Sequence, residues 1–298
     1  MKWLLATCAL AVFAGALPAP PALKTGAPLL VYAAGEPGNV QIFTAKLDGS
    51  DVKQVTDHKS DHLFPAVSPD GKQIAFSSDR DGVTQIYVMD ADGKNVRALT
   101  KGGDIARAPA WSPDGKKIAF TRHVDNQSPN IFVMDADGSN VKQLTEGGEY
   151  TADPTWSPDS KKIAYTSRPA GGNGFRLYAM DADGKNVKEL TTQDNGLGFV
   201  YPAWSPDGKH IAYADATDNG LELFVIDADG QNRRQLTKLE AQSGYPAWSA
   251  DSKKIIFCHF NRDQASSVRI IDADGSNEKV ILSDTKAPAE GGRVTLKP

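Results

Sequence analysis

Cysteine is nearly absent from this chain: two among 298 residues, Cys8 and Cys258. That excludes the disulfide frameworks that staple small exported domains, so stability must come from packing. Positive charge is not in excess either, since 33 Lys and Arg stand against 37 Asp and Glu for a net charge of −4. No uniform positive field draws in phosphate backbones, which excludes nucleic acid as a partner class. Catalytic signatures are missing too. The sequence has no Gly-x-Ser-x-Gly nucleophile elbow, and none of the Gly-Lys pairs at Gly71, Gly93, Gly115, Gly184 and Gly208 is followed by the Ser or Thr of a phosphate loop. Long apolar runs are lacking as well. The stretch from Trp3 to Ala16 covers roughly 14 residues, short of the ~18 to 20 that cross a bilayer as a helix. With Lys2 ahead of it and Ala14-Gly15-Ala16 at its end, it reads as an export signal over 1–16. A periplasmic or secreted chain without a stable membrane span is expected. Removal of 1–16 leaves Cys258 alone and a Pro-rich leader over 17–27 with no core of its own.

Turns and short strands are what the chain has in abundance, with 27 Gly, 18 Pro and 40% hydrophobic residues. Trp-Ser-Pro-Asp begins at Trp111, Trp156 and Trp204, with relatives at Val67 and Trp248, at spacings of 44, 45, 48 and 44. A second marker, Asp-Gly, ends at Gly49, Gly93, Gly138, Gly184, Gly230 and Gly275, with spacings of 44 to 46. A period near 45 with four short strands per unit is that of a β-propeller blade, whose small sheet buries both faces only against its neighbours. In the repeat 109–145, strand a is predicted at 109–112, b at 117–121, c at 130–134 and d at 141–145, with turns at Ser112-Pro113-Asp114-Gly115 and Asp135-Ala136-Asp137-Gly138. Strand a carries Pro65, Pro109, Pro154, Pro202 or Pro246, and proline is confined to sheet edges, so strand a should line the central channel.

Six Asp-Gly turns accompany only five strand-a motifs. Strands b, c and d of the first repeat fall at 29–33, 40–45 and 52–56, and after the last strand d at 279–282 one segment is left over, 293–296. Placing it as the missing strand a predicts an all-β, six-bladed propeller over 28–298, its ring closed by a C-terminal strand joining three N-terminal ones.

The repeated Pro-Ala-Trp-Ser-Pro-Asp-Gly-Lys at 109–116 and 202–209, the Ile-Ala-Phe or Ile-Ala-Tyr from Ile118 and Ile211, and the closing Leu-Thr at Leu99, Leu144, Leu190 and Leu236 resemble the TolB-type, WD-like propeller repeat family over about 28–298. The resemblance implies a secreted or periplasmic interaction scaffold, with a role like that of the family's namesake in the Tol-Pal cell-envelope system. A Pal-like lipoprotein is then one candidate partner. The namesake carries an α/β domain ahead of its propeller, whereas here only the short leader is expected between signal and blades.

Several motifs suggest chemistry. Asp-Ala-Asp-Gly at Asp90 looks like part of a calcium loop, but Val88 stands where a third ligand is needed, and the tetrad recurs in four other turns. A hairpin turn is the better reading. His58 and His62 share a loop with Asp57 and Asp61 and, with His123 or His259, would form a metal site, although solvated loop histidines are the plainer reading. Cys258 aligns with Ser77, Thr121 and Thr166 at the end of strand b, where a small buried residue suffices. No metal site and no cofactor are expected.

In a four-stranded meander the a-to-b and c-to-d turns share one face, while the b-to-c loops and d-to-a connections share the other. The first face is uniform and the second diverges, which points to the second as the functional one. The residues just before each strand-a proline, Phe64, Ala108, Asp153, Tyr201 and Tyr245, should ring the channel mouth. Phe64, Tyr201 and Tyr245 with Arg107 and Asp153 form the candidate binding site, aromatic anchors with polar selectivity. The expected function is a monomeric, non-catalytic scaffold for an envelope protein or peptide. The alternative is a polysaccharide-cleaving propeller enzyme, resembling oligogalacturonate lyases, with a metal over the channel.

Overall fold

The computed structural model describes residues 10–12, 29–125, 128–147, 150–172, 174–192, 201–239, 242–261 and 264–283. Among them every element is a strand, and the strands form six antiparallel units of four. Blade 3 is typical: strand a Ala106–Trp111, b Lys117–Arg122, c Asn130–Asp135 and d Lys142–Gln143, hydrogen-bonded in the order d-c-b-a. Strand a begins earlier than the sequence suggested, and strand d is only two residues long. Blades 5 and 6 are joined into one sheet by a single parallel pairing, Leu221 with Gln242.

Each blade buries its faces against its neighbours. Ala119, Ile131 and Val133 of blade 3 pack on Trp156, Ile163, Tyr165 and Met180 of blade 4. Equivalent cores join the other consecutive pairs, and Leu30, Tyr32, Ala34 and Ala45 of blade 1 meet Ile256, Val268 and Leu282 of blade 6. The last of these closes the ring by side-chain packing.

The partner of strand b in blade 1 differs from expectation. Leu10–Val12 pairs antiparallel with Leu29–Glu36 and takes the strand-a place, touching the inner strands of blades 2 and 6. The segment 293–296, expected there, lies outside the described residues, as do the proposed cleavage site and the leader. The seat asks only for a short run of backbone donors and acceptors, which either segment of the sequence supplies.

The repeated motifs prove to be turn and seam devices. In Ser-Pro-Asp-Gly, Ser112 Oγ donates to Asp114 Oδ1 at 2.6 Å and accepts from the Lys117 N–H at 2.9 Å, and the other four copies repeat this. In Asp-Ala-Asp-Gly, the first carboxylate accepts from an Asn five residues on, as in Asn140 Nδ2 to Asp135 Oδ2 at 2.6 Å. The closing Thr accepts a backbone N–H of strand c, Ile131 N to Thr145 Oγ1 at 2.9 Å, and does so likewise in blades 1, 2, 4 and 5. Trp156 and Trp248 each donate Nε1 to a carbonyl of the preceding blade, those of Ala110 and Ala203, both at 3.0 Å. The turn glycine belongs to the seam too: a Cβ on Gly93 would lie 2.3 Å from the carbonyl oxygen of Val55 in blade 1.

Two predictions follow from this architecture. Gly93→Ala meets both a φ of +86° and that carbonyl, whereas Gly38→Ala meets a φ of +87° with nothing within 4 Å. Chemical denaturation should show a loss of about 2–4 kcal/mol for the first and about 1 kcal/mol for the second. For the seat in blade 1, a chain of 17–298 lacks Leu10–Val12 and should still unfold cooperatively; on the expectation that 293–296 then takes the seat, one of 17–292 should melt about 5–10 °C lower, with the edge of Leu29–Glu36 uncovered. Equal melting of the two chains would show that 293–296 does not enter the ring.

Candidate functional site

The five residues before the strand-a prolines are all left-handed: φ is 52° at Phe64, 52° at Ala108, 56° at Asp153, 40° at Tyr201 and 55° at Tyr245. Proline disfavours the right-handed helical region for the residue before it, and a positive φ at a bulky side chain is uncommon and strained. In blades 2, 3, 4 and 6 it coincides with a shift of register between strands a and b, so these residues form bulges within strand a. The preceding blade compensates at the backbone. Ala108 N donates to Ser77 Oγ at 3.0 Å and Asp153 N to Thr121 Oγ1 at 3.1 Å. This gives the strand-b position shared by Ser77, Thr121 and Cys258 its reason: Cys258 is buried there as expected, and in two blades the position caps a neighbour's bulge.

The bulges converge on the axis. A cavity of about 140 Å³ is lined by Phe64, Ala108, Asp153, Tyr201 and Tyr245 together with the five prolines that follow them. The Tyr201 and Tyr245 rings stack at 4.0 Å between centroids, and Tyr245 also meets Phe64 and Phe260, each at 6.4 Å. Tyr201 packs in turn on the core between blades 5 and 6. The tyrosines are therefore half-buried parts of the channel wall. Burial raises the pKa of both hydroxyls.

Asp153 is the one ionisable carboxylate in that lining. Burial raises its pKa to about 6, opposed only by the positive charge of Arg107. Arg107 itself is not in the lining, which differs from the ring position expected of it. Its Nη2 donates to Tyr150 Oη, and its guanidinium lies 5.8 Å from the Tyr150 ring centroid. Tyr150 packs edge-on against Phe175 at 5.2 Å, with Arg168 over Phe175 at 5.6 Å. Tyr150 and Phe175 were missed in the sequence because neither falls at a repeated position; the one signal was an aromatic three residues before Asp153. The surrounding connections are pinned by a polar residue near the start of strand c: Gln41 Nε2 donates to His58 O at 2.8 Å, Gln85 Nε2 to Asp104 O at 2.7 Å, and Glu222 accepts from Leu239 N at 2.7 Å.

His58 and His62 come together, with ring centroids 6.3 Å apart and both facing Ser60 Oγ, at 3.0 and 3.5 Å. His62 is fully buried in strand a of blade 2, with Nδ1 2.9 Å from Ser78 Oγ and its ring edge-on to Phe76 at 5.5 Å. His259 is buried in strand b of blade 6. Burial lowers the pKa of each to about 4, so the solvated-loop reading fails for both. Among the described residues no three His, Cys, Asp or Glu side chains are grouped to hold a metal ion.

The raised pKa of Asp153 has a consequence for stability. A carboxyl whose folded pKa stands near 6 against an ordinary 3.8 favours the fold while protonated, and that benefit is lost as pH rises through 6. Asp153→Asn should therefore stabilise the chain at pH 7.5, by about 1–3 kcal/mol, and leave it nearly unchanged at pH 3, below the ordinary carboxyl pKa of 3.8. His62 and His259, with lowered pKa values, act in the opposite sense by losing stability as pH falls from 6.5 towards 4. Because both chains share them, the difference in thermal unfolding isolates Asp153.

Comparison with known proteins agrees with this architecture. The chain matches the TolB beta propeller domain over residues 6–107 and 103–289. Among solved structures, TolB from Acinetobacter baumannii is similar with a TM-score of 0.74 and 25% identity, over 87% of this chain and 64% of that one. This chain thus spans less than two thirds of that relative. A putative TolB from Agrobacterium tumefaciens is similar with a TM-score of 0.69 and 23% identity, over 78% of this chain and 84% of that one. An oligogalacturonate lyase in complex with manganese shares the fold alone, with a TM-score of 0.61 and 13% identity over 84% of this chain and 73% of that one. No curated protein sequence matches significantly. Repeat, seams and strand-a prolines together carry the conclusion that this chain belongs to the TolB beta propeller domain family.

Proposed function

We propose that this chain is a non-catalytic scaffold of the cell envelope, periplasmic or secreted, that binds a protein or peptide partner on the face of the channel mouth. The observation that carries the reading is the ring of Phe64, Asp153, Tyr201 and Tyr245 around one axial cavity, with Arg107 and Tyr150 beside it. Aromatic side chains held on a rigid frame are the usual anchors of an interface. The opposite face offers little for recognition, because its Ser, Asp and Asn side chains are engaged in hydrogen bonds within their own turns. Likeness to TolB supports an envelope location and makes a Pal-like lipoprotein one candidate partner. No helix among the described residues is long and apolar enough to cross a membrane. The enzymatic alternative is weaker, since a metal-assisted lyase needs converging ligands and the described residues do not group them.

Capture from envelope extract followed by a binding titration tests the proposal. Tyr201→Ala and Tyr245→Ala should each weaken the complex about tenfold or more, as truncated anchors at a hot spot do. Since both rings also pack within the wall, the titrations belong well below the melting temperature of each variant. Asp137→Ala and Lys185→Ala, on exposed turns of the opposite face, should bind like the unaltered chain. The reverse pattern would place the interaction on the turn face.

A further inference from the structure

We propose that the channel mouth is a receptor for a single alkylammonium group, the lysine side chain of a bound partner, seated against Asp153 and the aromatic wall. This rests on the reading of the ring as the partner-binding surface and names what that surface takes in.

Three features of the cavity carry the inference. The first is size: a cavity of about 140 Å³ at the axis is on the scale of one side chain. The second is the chemistry of the wall. Among the described residues the lining besides Asp153 is five prolines, Ala108, Phe64, Tyr201 and Tyr245. An anionic group would meet the Asp153 carboxylate in a poorly hydrated place. A neutral apolar group would strip that carboxylate of its remaining water and return nothing. An ammonium ion satisfies it, its alkyl stem lies along the prolines, and the aromatic rings attract the charge through their faces.

The third feature is that the protein does not already answer Asp153. Its carboxyl is affected by burial and by the charge of Arg107, with no hydrogen bond to it. Arg107 is held at the Tyr150 ring and hydroxyl, outside the cavity lining. A negative group is thus kept in an apolar ring with its complement supplied only at a distance.

The same arrangement makes binding depend on pH. The groups facing Asp153 are Arg107 from strand a of blade 3, Tyr150 from strand a of blade 4, Tyr201 from blade 5 and Tyr245 from strand a of blade 6. All three tyrosines have raised pKa values and stay neutral, and arginine stays charged, so between pH 5 and 8 the carboxyl alone titrates among them. A cation is favoured by the ionised form, so binding is present above pH 6 and fades below it.

The test uses n-butylammonium as the probe and n-butanol as its uncharged counterpart, titrated into the exported chain and followed by NMR. At pH 7.5 n-butylammonium should bind at least tenfold more tightly than n-butanol. That advantage should disappear at pH 5.0 and in Asp153→Asn at either pH. Asn tolerates the left-handed backbone at this position, and the variant's spectrum reports directly whether the fold is intact. Equal binding of the two probes, no binding of n-butylammonium, or unchanged binding in Asp153→Asn would each overturn the proposal. The partner reading fails separately. If Tyr201→Ala weakens the captured complex while Asp153→Asn does not, the ring is an interface but not a lysine receptor; if neither weakens it, both readings fall.

Discussion

A sheet of four short strands has two apolar faces and no means of covering either by itself, and this constraint governs the molecule. Each blade is stable only as the filling between two others, so six inter-blade cores run around the axis, the one between Leu30 and Tyr32 of blade 1 and Ile256 and Val268 of blade 6 completing the circle. The repeated residues answer the same demand. Gly93 lets its turn lie on the carbonyl of Val55, Trp156 reaches back to Ala110, and Thr145 accepts the Ile131 N–H of strand c in its own blade.

Strand a meets a different demand, because inner strands crowd together at the axis. A left-handed residue followed by proline makes a bulge there. Its backbone N–H is satisfied by Ser77 or Thr121 of the preceding blade in two of the seams. The strain is tolerated because each bulge is braced by the neighbouring blade as well as by its own. The result is a set of side chains fixed at the channel mouth whose identities differ between blades: Phe64, Ala108, Asp153, Tyr201 and Tyr245 occupy one structural position, three aromatic, one acidic and one small. A frame that holds position while releasing identity is what a recognition surface requires.

The two faces divide the labour accordingly. On the turn face, polar side chains are spent on backbone geometry, and their carboxylates sit low in pKa because serine, asparagine and backbone donors hold them. On the loop face, Gln41, Gln85 and Glu222 pin the connections from below, so the loops around the mouth are anchored at their base.

The sequence by itself determined the repeat, the four-stranded unit, the turn types and the place of the prolines, because each is a local consequence of residue type. Asp-Gly and Ser-Pro-Asp-Gly write their turns wherever they occur, and a non-glycine residue before proline is legible at 64, 108, 153, 201 and 245. The environment of those residues was decided only by tertiary structure. That Asp153 is buried enough to hold its proton to about 6, that Arg107 turns aside to Tyr150, that His62 and His259 are neutral core residues, and that Leu10–Val12 fills the inner seat of blade 1 all depend on which blade lies next to which. Desolvation, charge proximity and edge pairing arise between segments well separated in the chain, and no local pattern encodes a distance that closure of the ring creates.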